Sequence, residues 1–165
     1  MKKIAASCIA ALAFSASGAV LAQSCASPLG FNTPPTGPTA AGNTCTGANN
    51  LGTLCGLFNS PENDDVYQFS IGAGYTATSI TLTTTSGTYN PAIALLSGSC
   101  GGGTSCTDVA DSNGAGSGET LSTVGLANGT YFMVVTSSPG TNTCGDYNIT
   151  ANGTLPVKLQ KFSVE

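Results

Sequence analysis

The chain has 165 residues and a formal net charge of −4, with four lysines, no arginine and no histidine against eight carboxylates. Beyond Lys2 and Lys3 only Lys158 and Lys161 could meet phosphates, so nucleic acid is excluded as a partner, and an anionic membrane surface is disfavoured for the same reason. Charged residues are scarce while Gly, Ser, Thr and Asn abound, which suits an exported β protein and not a helical one with Glu-, Lys- and Ala-rich faces.

Residues 1–22 have the form of a secretory signal peptide. Lys2 and Lys3 are its charged start, Ile4 to Phe14 its apolar stretch, and Val20-Leu21-Ala22 its cleavage box. Cleavage is expected after Ala22. The bulky Gln23 argues against lipid attachment at Cys25. The stretch is too short and wrongly flanked for a membrane span, and no later apolar run is long enough. The expected location is therefore extracellular or at the cell surface, with the periplasm as the other oxidising compartment.

Residues 23–44 are rich in Pro, Gly, Thr and Ser and are expected to form an extended arm, because Pro34, Pro35 and Pro38 oppose regular pairing. From Cys45 onward the pattern is that of strands divided by turns. In "DVYQFSI", Tyr67, Phe69 and Ile71 share a face. Ile80 and Leu82 oppose threonines, and Ile93 and Leu95 share a face in "PAIALLS". Tyr131 to Val135 is apolar on both faces, which predicts a central strand. Tyr147 and Ile149 alternate in the last strand of the domain, and residues 154–165 add a further strand or tail. No segment of residues 23–165 has a helical period. One-sided strands in this number bury their apolar faces as a sandwich of antiparallel sheets.

Seven cysteines are present, and Cys8 lies in the signal. Cys25, Cys45, Cys55, Cys100, Cys106 and Cys144 remain, an even number that predicts three disulfides in an exported chain. Cys100 and Cys106 flank a short Gly-rich loop and are the expected pair; the pairing of the other four stays open. Cys144 precedes the last strand of the domain and is expected to tie it to the N-terminal region. Zinc is disfavoured, since there is no C-x-x-C and no histidine.

The order of "DDVYQFSI", "ITLTTTSGTYNPAIALLSGSC", "DVADSNGAGSGETLSTVGLANGTYFMVVTS" and "CGDYNITANG" resembles the bacterial pre-peptidase C-terminal (PPC) domain family, across about residues 43–153. The resemblance implies a jelly-roll-like β-sandwich over 45–153. It also implies a non-catalytic appendage or stand-alone surface module of secreted bacterial proteins, with relatives that bind collagen and calcium. The departure here is that no peptidase domain precedes the match.

The residues themselves point away from catalysis. Without histidine there is no Ser-His-Asp or Cys-His arrangement, and "GAGSG" lacks the first glycine of a nucleophile elbow. No cofactor is implied except Ca²⁺. Asp108, Asp111, Asn113 and Glu119 surround one loop, out of register for an EF-hand, and Glu62, Asn63, Asp64 and Asp65 form a second cluster. Either group could hold calcium through hard oxygen ligands; the plainer alternative is that they form turns and cap strands. Tyr75 and Tyr89 sit at loop-like positions where an aromatic could stack on a sugar, or could pack on neighbours. The function expected is a secreted, non-catalytic binding or adhesion module for an extracellular polysaccharide or protein. The alternative is a self-associating cell-surface assembly protein, suggested by the basic and apolar tail "LPVKLQKFSVE".

Overall fold

The computed structural model describes residues 24–31, 38–56, 58–59, 62–101 and 106–153. The signal peptide expected over 1–22, Pro34 and Pro35, and the tail 154–165 lie outside the described residues. Among the described residues eleven strands follow in chain order. They are β1 (Leu29–Gly30), β2 (Thr39–Asn43), β3 (Thr53–Leu54), β4 (Phe58–Asn59), β5 (Asp65–Ile71) and β6 (Ser79–Thr84), then β7 (Pro91–Ser97), β8 (Cys106–Ala110), β9 (Glu119–Ser122), β10 (Gly129–Ser137) and β11 (Asp146–Asn152). A 3-10 turn, Thr44–Thr46, is capped by the Asn43 side chain, which accepts from the Cys45 amide.

Two large sheets form, in the order β1-β5-β10-β7-β8 and β2-β11-β6-β9, and β3 pairs with β4 as a separate two-stranded sheet. All pairs are antiparallel except β1 with β5. From β5 onward the chain crosses from sheet to sheet at each step except between β7 and β8. With β2 as the first strand, this winding of β2 and β5 to β11 into two four-stranded layers is a jelly roll, to which β1 adds a fifth strand at the edge of the first sheet. The sandwich expected from the alternating strands is thus present, and β10 is central as its two-sided apolar sequence requires.

The core lies between the sheets. Tyr67, Phe69 and Ile71 of β5, Ile93 and Leu95 of β7, and Met133 and Val135 of β10 meet Ile80 and Leu82 of β6, Leu121 of β9, and Tyr147 and Ile149 of β11. Phe31 closes one side, edge-on to Tyr67 at a centroid distance of 6.1 Å.

The first sheet also buries its outer face. Val66, Ala94, Leu96 and Val134 point away from the sandwich and pack with Leu51 and Leu54. The cover is a flap, whose described residues 48–56 and 58–59 include the two-residue strands β3 and β4. Two disulfides hold material on this face: Cys55–Cys106 ties the flap and Cys25–Cys100 ties the N-terminal segment, both to the β7–β8 hairpin. The third, Cys45–Cys144, joins the N-terminal region to the segment leading into β11.

Two expectations are corrected here. Cys100 and Cys106 are not joined to each other. A bond across their own short loop would restrain little, whereas separations of 75 and 51 residues remove far more freedom from the unfolded chain. The stretch 23–44 is not wholly an arm: β1 pairs with β5, and β2 pairs with β11 along five residues. Pro38 does not prevent this, because proline loses only its N–H. Its carbonyl accepts from the Ala151 amide at 2.9 Å, just before an edge strand begins.

Candidate functional site

Strand registers place most of the acids at one end of the sandwich. Val135 lies opposite Asp65, Ser137 opposite Pro91, Leu82 opposite Glu119, and Asp146 opposite Asn43. Glu62, Asp64, Asp65, Asp111, Glu119 and Asp146 therefore share this end. All four lysines lie outside the described residues.

The first cluster divides instead of converging. Asp64 and Asp65 are consecutive and turn to opposite sides. Asp64 faces the flap: its Oδ2 accepts from the amides of Asn50 at 2.8 Å and Leu51 at 2.9 Å, and its Oδ1 from the Asn50 side chain at 3.0 Å. Asp65 faces the inter-sheet core, where Tyr147 donates to its Oδ2 at 2.6 Å. The Tyr147 hydroxyl is also 2.9 Å from that of Tyr67, so a chain of three buried polar groups crosses from β5 to β11. Burial raises both carboxyls above the ordinary range; their hydrogen bonds oppose this, and the Asp64 charge adds to it for Asp65. Gly42 of β2 lies against the Tyr147 ring, where a Cβ would collide with it. Glu62 is buried and accepts from the Asn142 amide at 3.1 Å. Asn142 has φ 55°, a left-handed conformation that asparagine tolerates. Asn63 offers its carbonyl to the Thr136 hydroxyl at 3.2 Å.

The second cluster organises its own loop. Buried Glu119 accepts from the Asn113 amide at 2.7 Å and, at 3.5 Å, from the Ser112 hydroxyl. The Asn113 side chain donates to the Gly118 carbonyl at 2.6 Å. Gly118 must be glycine, because a Cβ there would enter the Leu82 carbonyl. Asp111 accepts from the Ser138 hydroxyl at 3.1 Å; burial raises its carboxyl, Ser138 opposes, and the nearby Glu119 charge adds. Asp108 is exposed on the edge strand β8 and accepts from the adjacent Val109 amide. Of the four expected ligands, Asp111 and Glu119 come near each other, the Asn113 side chain is engaged elsewhere, and Asp108 stands apart in β8. Among the described residues no three His, Cys, Asp or Glu side chains are grouped to hold one metal ion.

The two tyrosines singled out as sugar platforms pack on neighbours. Tyr89 is fully buried and donates to the Thr136 carbonyl at 2.8 Å. Tyr75 is half-buried and donates to the Thr123 carbonyl at 2.9 Å. Sequence reasoning missed the Tyr67–Tyr147–Asp65 chain. The one signal for it was a tyrosine on the core face of each of two strands, since a buried phenol needs a polar partner.

No family model matches the chain, and no curated protein matches it.

Proposed function

We propose that the protein is a secreted, non-catalytic binding or adhesion module, of the kind the PPC resemblance implies, whose partner is an extracellular polysaccharide or protein. The observation that carries this reading is the engagement of the acids. Asp64 fixes the flap, Asp65 ties the two sheets, Glu62 holds the turn at Asn142, and Glu119 holds the loop at 112–118. Such carboxylates set the shape of loops on a rigid scaffold, which is how binding surfaces are presented. A general acid or nucleophile must instead face a substrate, and Glu119 is only 1 % exposed. Three disulfides suit an oxidising compartment.

Calcium is left out of the proposal. The three hydrogen bonds to Asp64 and the two to Glu119 occupy oxygens that an ion would need. The test is a combined glycan and protein array probed with the oxidised chain from residue 23 onward, alongside assays on casein, gelatin and common polysaccharides. Specific retention without turnover is expected. Hydrolysis abolished by Glu119→Gln would overturn the reading.

A further inference from the structure

The end opposite the acids has a different chemistry. Its described turns include 72–78, 98–101 and 123–128, and none of them contains a charged residue. Between two of these turns lies an open pocket of ≈ 350 Å³, lined by Ser97, Gly98, Asn128, Gly129, Thr130 and Tyr131. That volume is at the lower end of the range for small-ligand sites.

We infer that this pocket binds one or two residues of a neutral carbohydrate. The inference rests on the binding-module reading above and assigns it a site and a ligand class. Three observations carry it. First, the described lining is neutral and partly polar, and Asn128 and Thr130 carry groups that both donate and accept as sugar hydroxyls do. Among the described residues that line it, no cation is present to hold an anion and no carboxylate to hold a base. The nearest acid in sequence to this end, Asp108, lies on β8 opposite Leu95, two residues inward from Ser97. Secondly, the walls are bare where a polyol must approach. A Cβ at Gly98 would meet nothing within 4 Å, and one at Gly129 only the Tyr131 ring, at 4.0 Å. Thirdly, the loop is held in place before any ligand arrives. Tyr75 donates to the Thr123 carbonyl and Tyr131 to the Ala127 carbonyl, each at 2.9 Å. Tyr131 in turn stacks on Phe69 at a centroid distance of 5.7 Å. Ordering paid in advance lowers the entropy lost on binding. A peptide is a poorer match, because the pocket sits at strand ends with no unpaired edge for β-addition.

The experiment is an amide-resolved NMR titration of the oxidised chain with cellobiose, maltose and N,N′-diacetylchitobiose, taken to about 50 mM, well above a Kd on the order of 1 mM. At least one disaccharide is expected to shift the amides of Gly98 and Asn128 to Tyr131 while leaving the acidic end unmoved. Gly129→Leu, whose Cβ meets only the Tyr131 ring and which does not need left-handed backbone, should keep the melting midpoint and weaken that binding about tenfold. Absence of shifts for all three sugars, or equal shifts in Gly129→Leu, overturns the carbohydrate assignment. If the array yields a ligand that Gly129→Leu still binds, the pocket is wrong and the module reading stands. A peptide ligand that Gly129→Leu loses also overturns the assignment. An array with no ligand, together with a silent titration, removes the module reading as well.

Discussion

The two sheets solve the same packing problem with different sequences. In the first, β7 is buried from Pro91 to Leu96 and β10 from Met133 to Ser137, so both faces are covered. In the second, every strand alternates, and the outer face is a plain of hydroxyls and amides. One row across it reads Thr39, Thr150, Thr81 and Thr120, each opposite the next. The second sheet needs no cover. The first needs one, and its cover is a flap whose strands are too short to hold themselves down. The disulfides fall accordingly: two of three hold material over the first sheet, and none over the outer face of the second. Continuous apolar strands thus mark where this chain requires covalent help, and alternating ones where water suffices.

Paired substitutions sharpen this contrast. Val134→Asp puts a carboxylate under the flap, with no partner, and is expected to cost about 4 kcal/mol or more. Thr83→Asp, on the outer face of the second sheet, should stay within about 0.5 kcal/mol. Denaturant unfolding of both variants checks the pair; equal losses would mean that the outer faces do not differ. Next in size is Cys55→Ser with Cys106→Ser. Releasing a 51-residue loop is worth about 4 kcal/mol in the chain-entropy model, and the two remaining disulfides reduce this to about 3. Binding of a hydrophobic dye should rise as the flap lifts from Leu96 and Val134, and a variant as stable as the parent would break the comparison. Tyr147→Phe leaves Asp65 and Tyr67 short of a buried partner and should cost about 2 kcal/mol, read by the same unfolding curves.

The pH response is smaller and of unusual sign. Asp64, Asp65 and Asp111 all have raised carboxyls, with burial the largest cause. Each therefore contributes stability that is complete below the ordinary aspartate value and is lost as pH rises through its folded value. Melting midpoints should be higher near pH 4.5 than at pH 7.5, and Asp65→Asn should flatten part of that difference. A midpoint that falls steadily with acid would contradict it. The smallest expected effect is that of calcium: midpoints in EDTA and in millimolar Ca²⁺ should agree. A rise of several degrees, lost in Asp111→Ala, would restore a cation site at the 108–119 loop.

Much of the architecture was legible because period-2 patterns report faces. The core positions of β5, β6, β7 and β11 alternate as the sandwich requires, and Tyr131–Val135 is apolar throughout, as a central strand should be. The disulfide pairing was not legible, because proximity in sequence favoured Cys100 with Cys106 and nothing local reveals what lies over the hairpin. The acids were visible but their partners were not. Asp64 and Asp65 look like one cluster in sequence, yet adjacent strand residues turn to opposite faces, and only the packing of one sheet on the other brings Tyr147 beside Asp65. Pro38 misled for a related reason: a missing N–H marks an edge as readily as it marks an arm.

The disulfide-held cover over the first sheet is tested most directly by cutting the oxidised, denatured chain before each aspartate. Cleavage before Asp64, Asp65, Asp108, Asp111 and Asp146 separates three cysteine-bearing fragments: one ending at residue 63 with Cys25, Cys45 and Cys55, one of residues 65–107 with Cys100 and Cys106, and one of residues 111–145 with Cys144. The pairing described here keeps all three in a single cross-linked species by mass spectrometry, falling apart only on reduction. Release of fragment 65–107 by itself, with an internal disulfide, would contradict the account, because the flap and the N-terminal segment would then have no covalent hold on the sheet they cover.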